Sequence, residues 1–77
     1  MKKIPNIKFD ALQEAVSIAG SQGKLGILVG KTQAQVSVWV NRDKKLPPDL
    51  VLIVERATGV SRHRLRPDVF GDVDDRE

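Results

Sequence analysis

Apolar residues recur along the chain at spacings of three and four, punctuated by glycine and proline, and this pattern predicts helices from end to end. Phe9, Leu12, Ala15, Val16 and Ala19 make one face of a first helix over about residues 9–19, with Asp10, Gln13, Glu14 and Ser17 opposite and Gly20 as its stop. Ser21 is placed to cap a short second helix that runs to Leu28 or Val29 and ends at Gly30. That helix contains Gly23 and Gly26. Each costs about 1 kcal/mol relative to alanine in a helix interior, so the helix must lean on tertiary packing. Thr32 caps a third helix from Gln33 to Val40 or Asn41, in which Val36, Trp39 and Val40 form an inward stripe. A polar loop from Asn41 to Leu46 follows. Pro47 and Pro48 then suit the entry of a fourth helix, Pro48 to Thr58, because a missing amide proton costs nothing there. Gly59 closes it, and Ser61 caps one further turn that Pro67 terminates. The expected fold is all-α, a domain of four to five helices over residues 1–71, followed by an acidic, unstructured tail over 72–77.

Within this series the stretch from Gln22 to Trp39 has the spacing of a helix-turn-helix. Such a hairpin needs a small residue in its first helix so that the second can cross closely, a turn residue that accepts positive φ, and apolar anchors under the second helix. Gly26, Gly30, Val36 and Trp39 supply these in order. A helical bundle of no particular function can use the same spacing, so the outward face of the third helix carries the functional argument. A purely structural helix turns Glu and Lys to solvent, whereas this one shows Thr32, Gln33, Ala34, Gln35, Ser37 and Asn41, without a charge. Short neutral donors and acceptors suit the major groove, where glutamine can bond adenine and alanine can touch a thymine methyl. Lys31 before the helix, and Arg42, Lys44 and Lys45 after it, are placed to meet phosphates, which position the helix without reading sequence.

From about Phe9 to Phe70 the chain resembles the Cro-like repressors of temperate phages, most closely the YdaS-type prophage regulators, which are also described as antitoxins. The resemblance is carried by Thr32-Gln33-Ala34-Gln35-Val36-Ser37-Val38-Trp39, by Leu46-Pro47-Pro48 leading to Glu55-Arg56-Ala57-Thr58-Gly59, and by Leu65-Arg66-Pro67-Asp68. It implies a lambda-repressor-like, operator-binding domain with Gln22 and Gln33 near a phosphate or base, and with Thr32, Ala34, Ser37 and Val38 facing the groove. Two positions depart from the pattern. Gly26 stands where alanine is usual, which permits closer crossing but weakens the helix. Val38 stands where a polar or basic residue is frequent; it reads a thymine methyl or is simply a half-exposed valine.

Composition narrows the alternatives. The chain has no cysteine, which excludes disulfides and thiolate metal sites and suits a reducing, cytoplasmic location. Its longest aliphatic run, Leu50 to Val54, is far short of a membrane span, and Met1-Lys2-Lys3 leads into Pro5 and Asn6 rather than an apolar stretch, so neither a membrane partner nor a signal peptide is expected. The net charge is +3, but residues 72–77 hold four acids and one arginine, so the remainder carries +6 and favours a polyanionic partner. His63 is the single histidine and reads as a surface residue; no cofactor or metal is implied. The acids are scattered on helix starts and solvent faces, and no nucleophile with a partner base appears, which argues against an enzyme. Glu55 and Arg66 are candidates to tie the last turn to the fourth helix. The expected function is sequence-specific binding of double-stranded operator DNA as a repressor. The alternatives are an antitoxin that also binds a toxin protein, through the acidic tail, and a helical interaction domain with no DNA role. Five successive apolar residues in the fourth helix exceed what one buried face hides, so a weak homodimer, free or only on DNA, is expected through that helix unless the first helix and final turn cover it.

Overall fold

Asn6 starts the first helix: its Oδ1 accepts from the Phe9 amide at 3.0 Å, so α1 spans Ile7–Ala19 and begins earlier than its apolar period predicts. The computed structural model describes residues 6–71, and the proposed acidic tail therefore lies outside the described residues. Ser21 caps α2, Gln22–Val29, and Thr32 caps α3, Gln33–Val38, both through side-chain bonds to the third helical amide at 3.1 Å. These elements stand where the sequence places them. Among the described residues there are six α-helical segments and no strand.

Beyond α3 the chain departs from the expected loop. Trp39–Asp43 continues as a π-helical turn and stops only at Lys44, which adopts the left-handed conformation at φ 60°. Trp39 and Val40 both turn into the core, as the stripe from Val36 predicts, but the winding that carries them is wider than an α-helix. A period of 3.6 cannot register such a turn. The fourth helix begins with a 3₁₀ turn, Pro48–Leu50, and becomes α4 over Val51–Thr58. A second correction concerns Pro67. The turn after Ser61 is α5, Arg62–Leu65; Arg66 is extended, and Pro67 opens another turn, α6, Pro67–Phe70, rather than closing the series. Proline is tolerated at a first helical position because that amide has no partner in the helix.

One core joins these pieces. Leu12, Leu25, Val36, Leu46, Val54 and Leu65 are fully buried and come from α1, α2, α3, the loop, α4 and α5. Each such side chain contributes about 1.5–3 kcal/mol by leaving water. The run in the fourth helix divides: Leu50, Val51 and Val54 enter the core, while Leu52 and Ile53 stay 46% and 44% exposed. The neighbouring elements therefore do not cover it entirely.

The C-terminal turns are fastened by arginines. Arg62 donates from its backbone amide and Nε to the Glu55 carboxylate of α4, each at 3.1 Å. Arg64 pairs with Glu14 of α1. Arg66 is itself buried; Nη1 donates to the Leu46 carbonyl at 2.9 Å, and Nε and Nη2 hold both oxygens of Asp68 at 2.9 and 2.7 Å. The expected Glu55–Arg66 tie is thus not formed. Glu55 reaches Arg62, one turn nearer along the chain, and Arg66 turns inward to the loop carbonyl.

Candidate nucleic-acid interface

The turn between α2 and α3 is made by backbone proximity. Gly30 sits in the left-handed region at φ 75°, where a side chain would be strained, and the Lys31 amide donates back to the Gly26 carbonyl at 2.8 Å. A Cβ placed on Gly26 would lie 2.5 Å from the Lys31 carbonyl oxygen, too close for any carbon. The departure from alanine at this position is therefore used: the backbone of the turn fills the space the methyl would occupy. Val36 and Trp39 are buried beneath α3, as anchors of the hairpin must be.

Above this frame, Lys31, Thr32, Gln33, Ala34 and Gln35 are exposed, with Val38 and Asn41 on the same helical path and Ser37 half-buried between them. The Gln33 carboxamide reaches back toward the start of α2, its Oε1 3.4 Å from where a Cβ on Gly23 would sit, and Gln22 lies there half-buried. Gln22 and Gln33 are thus brought to one end of the hairpin. Two other members are already engaged. Gln35 Oε1 accepts from the Thr32 amide at 2.9 Å while Thr32 Oγ1 accepts from the Gln35 amide, a reciprocal cap that spends the glutamine's acceptor on the helix terminus. Asn41 Nδ2 donates to Ser37 Oγ at 2.8 Å, coupling two side chains that sequence reading treats as independent.

The basic residues after α3 differ in the same way. Arg42 forms an ion pair with its neighbour Asp43, and Lys44 places Nζ 4.9 Å from the centroid of Phe9. Lys45 is exposed. The contact of Lys44 with α1 has no signal in the sequence, because it depends on a left-handed residue following a π turn. Lys8, next to Phe9, is a basic neighbour that sequence reading passed over.

A family model described as bacterial toxin YdaS matches residues 12–74. The chain belongs to the YdaS family. Among solved structures, it is similar to the Cro protein from prophage element Xfaso 1 of Xylella fastidiosa strain Ann-1, with TM-score 0.74 and 33% identity over 79% of this chain and 95% of that one. No curated protein matches the chain. Family and structural neighbour together identify a Cro-like, YdaS-type prophage regulator, as the motifs in α3, around Leu46-Pro47-Pro48 and around Leu65-Arg66-Pro67-Asp68 imply. The last motif now has a structural meaning in this YdaS-family chain, since Arg66 and Asp68 are the clamp on the Leu46 carbonyl. Among the described residues, no helix is long and apolar enough to cross a membrane.

Proposed function

We propose that this regulator binds double-stranded DNA with α3 in the major groove and represses prophage transcription. The observation that carries this reading is the uncharged exposed face of α3 with cations at both of its ends. Carboxylates would be repelled from a groove lined by phosphate, and none stands on that face. Gln33 and Ala34 are the base readers on this reading, with Val38 against a thymine methyl and the Ser37–Asn41 pair acting as one polar unit. Thr32 and Gln35 set the helix start and present its amides, while Gln22, Lys31, Arg42, Lys44 and Lys45 meet the backbone.

Selection of bound sites from random duplexes would define the operator. On that site Gln33→Ala should cost about 1–3 kcal/mol, the value of a lost bidentate base contact. Lys45→Ala should weaken every sequence alike and reduce the salt slope by about one unit. If both variants bound selected and random DNA as the parent does, α3 would not be the reading element.

Leu52 and Ile53, exposed side by side on α4, support a second copy of this chain as the partner on a two-fold operator. Sedimentation of the parent and of Ile53→Asp, free and with operator, tests this; an unchanged oligomeric state in the variant excludes α4. The antitoxin alternative is not favoured, since the similar structure is a Cro protein; the acidic tail on which that alternative rests lies outside the described residues.

A further inference from the structure

The solvent face of the fourth helix has residues arranged to meet a copy of themselves. Pro48, Asp49, Leu52, Ile53, Arg56 and Ala57 are all exposed, while Leu50, Val51 and Val54 between them enter the core. Spacings of three and four put the exposed set on one side of the 3₁₀ turn and α4. Charge is divided by position along this side: Asp49 stands in the opening turn, Arg56 in the last, and the apolar pair Leu52 and Ile53 lies midway. Glu55, the acid next to Arg56, is already held by Arg62. Among the described residues neither Asp49 nor Arg56 forms an ion pair.

A two-fold contact matches one residue with a second on the partner, and the second with the first. An axis between Leu52 and Ile53, perpendicular to α4, sets two copies of the helix antiparallel. Asp49 precedes Leu52 by as many positions as Arg56 follows Ile53, so Asp49 comes level with the partner's Arg56 at both ends of the contact. The parallel arrangement fails on the same residues. It sets Asp49 against the partner's Asp49 and Arg56 against the partner's Arg56, and like charges repel.

We propose that two copies of this chain associate through α4 packed antiparallel on itself, with Leu52 and Ile53 at the centre and an Asp49–Arg56 ion pair at each end. This rests on the α4 dimer proposed above and adds its direction and its charge pairing. The contact is far smaller than the roughly 20–30 residues a side of a stable interface, so association is weak and belongs to high concentration or to two copies on one duplex.

Sedimentation equilibrium of the full-length protein at low salt, with circular dichroism to establish unchanged helix content, tests the pairing. Asp49→Asn raises the net charge and Arg56→Gln lowers it, yet each removes both ion pairs of the dimer. Each should therefore weaken self-association about three- to tenfold, and the double variant should weaken it no further than either alone. These losses should fade in about 1 M salt, where the Debye length is about 3 Å, whereas Ile53→Asp should prevent association at any salt. With charges reversed, Asp49→Lys and Arg56→Glu should each associate poorly alone and pair with one another in an equimolar mixture. Tighter association in Asp49→Asn, effects of opposite sign in the two neutral variants, or no effect of either overturns the antiparallel pairing. If Ile53→Asp still prevents association in that case, the α4 dimer stands without it. If Ile53→Asp associates as the parent does, or the parent stays monomeric to millimolar concentration with and without operator, both fail.

Discussion

The α2–α3 hairpin and the α5–α6 turns are each short, yet they are held by different physics. In the hairpin the determinants are backbone and burial: Gly26 against the Lys31 carbonyl, Gly30 at positive φ, and Val36 and Trp39 beneath. In the C-terminal turns the determinants are side chains, three arginines reaching α4, α1 and the Leu46 carbonyl in turn. Backbone proximity leaves Gln33, Ala34 and Val38 exposed on the outer face of α3, while Thr32 bonds to Gln35 and Ser37 to Asn41 on the same face. Guanidinium clamps consume the polar groups they use and give this region structural work.

The contrast can be broken at four points, ordered by expected effect. Gly26→Ala gains about 1 kcal/mol of helix propensity but forces a methyl into a backbone oxygen, so we expect a net loss of about 2 kcal/mol, read as a lower urea midpoint at constant slope. An unchanged midpoint would mean that the crossing relaxes freely. Arg66→Leu keeps the bulk but removes the donor to Leu46 and the ion pair with Asp68; a loss of about 1–2 kcal/mol by the same assay is expected. Thr32→Ala removes the reciprocal cap at the start of α3 and should cost about 1 kcal/mol, with faster amide exchange at Gln35 as its local signature.

The smallest effect concerns acid. Arg66 holds Asp68 down to about 2 from an ordinary 3.8, so its stabilisation is complete above the ordinary value and is lost as pH falls toward 2. Glu14, lowered by its bond to Arg64, loses its contribution in the same direction. Both carboxylates are largely exposed, and solvent screening keeps the effect small. Unfolding followed from pH 5 to about 2 should show a shallower acid decline in Asp68→Asn than in the parent. Parallel curves would remove the clamp from the acid response.

The legibility of the two regions follows from the same difference. Ser21, Gly30, Thr32, Val36 and Trp39 act within one or two turns of their own position, and their roles could be read from spacing. The capping role of Gln35 was also readable in principle, since Thr-x-x-Gln is a capping box, but the groove reading took that residue first. Asn6 offered the same kind of local signal. In contrast, the pairing of Glu55 with Arg62, and of Arg66 with Asp68 and Leu46, turns on which way Arg66 points once α5 has ended. Nothing in the order of charges specifies that.

By itself the sequence determined the all-helical class, the place of the helix-turn-helix and the uncharged composition of its outer face, because periodicity, caps and glycine turns are local properties. Only the tertiary structure decided that α3 runs on into a π turn, that Lys44 folds onto Phe9, that Ser37 and Asn41 act together and that α6 stands beside the loop after Lys45. Those outcomes depend on how Trp39 and Val40 share one core and on where Arg66 finds a carbonyl. Both are satisfied by residues distant in the chain, and no local pattern carries them.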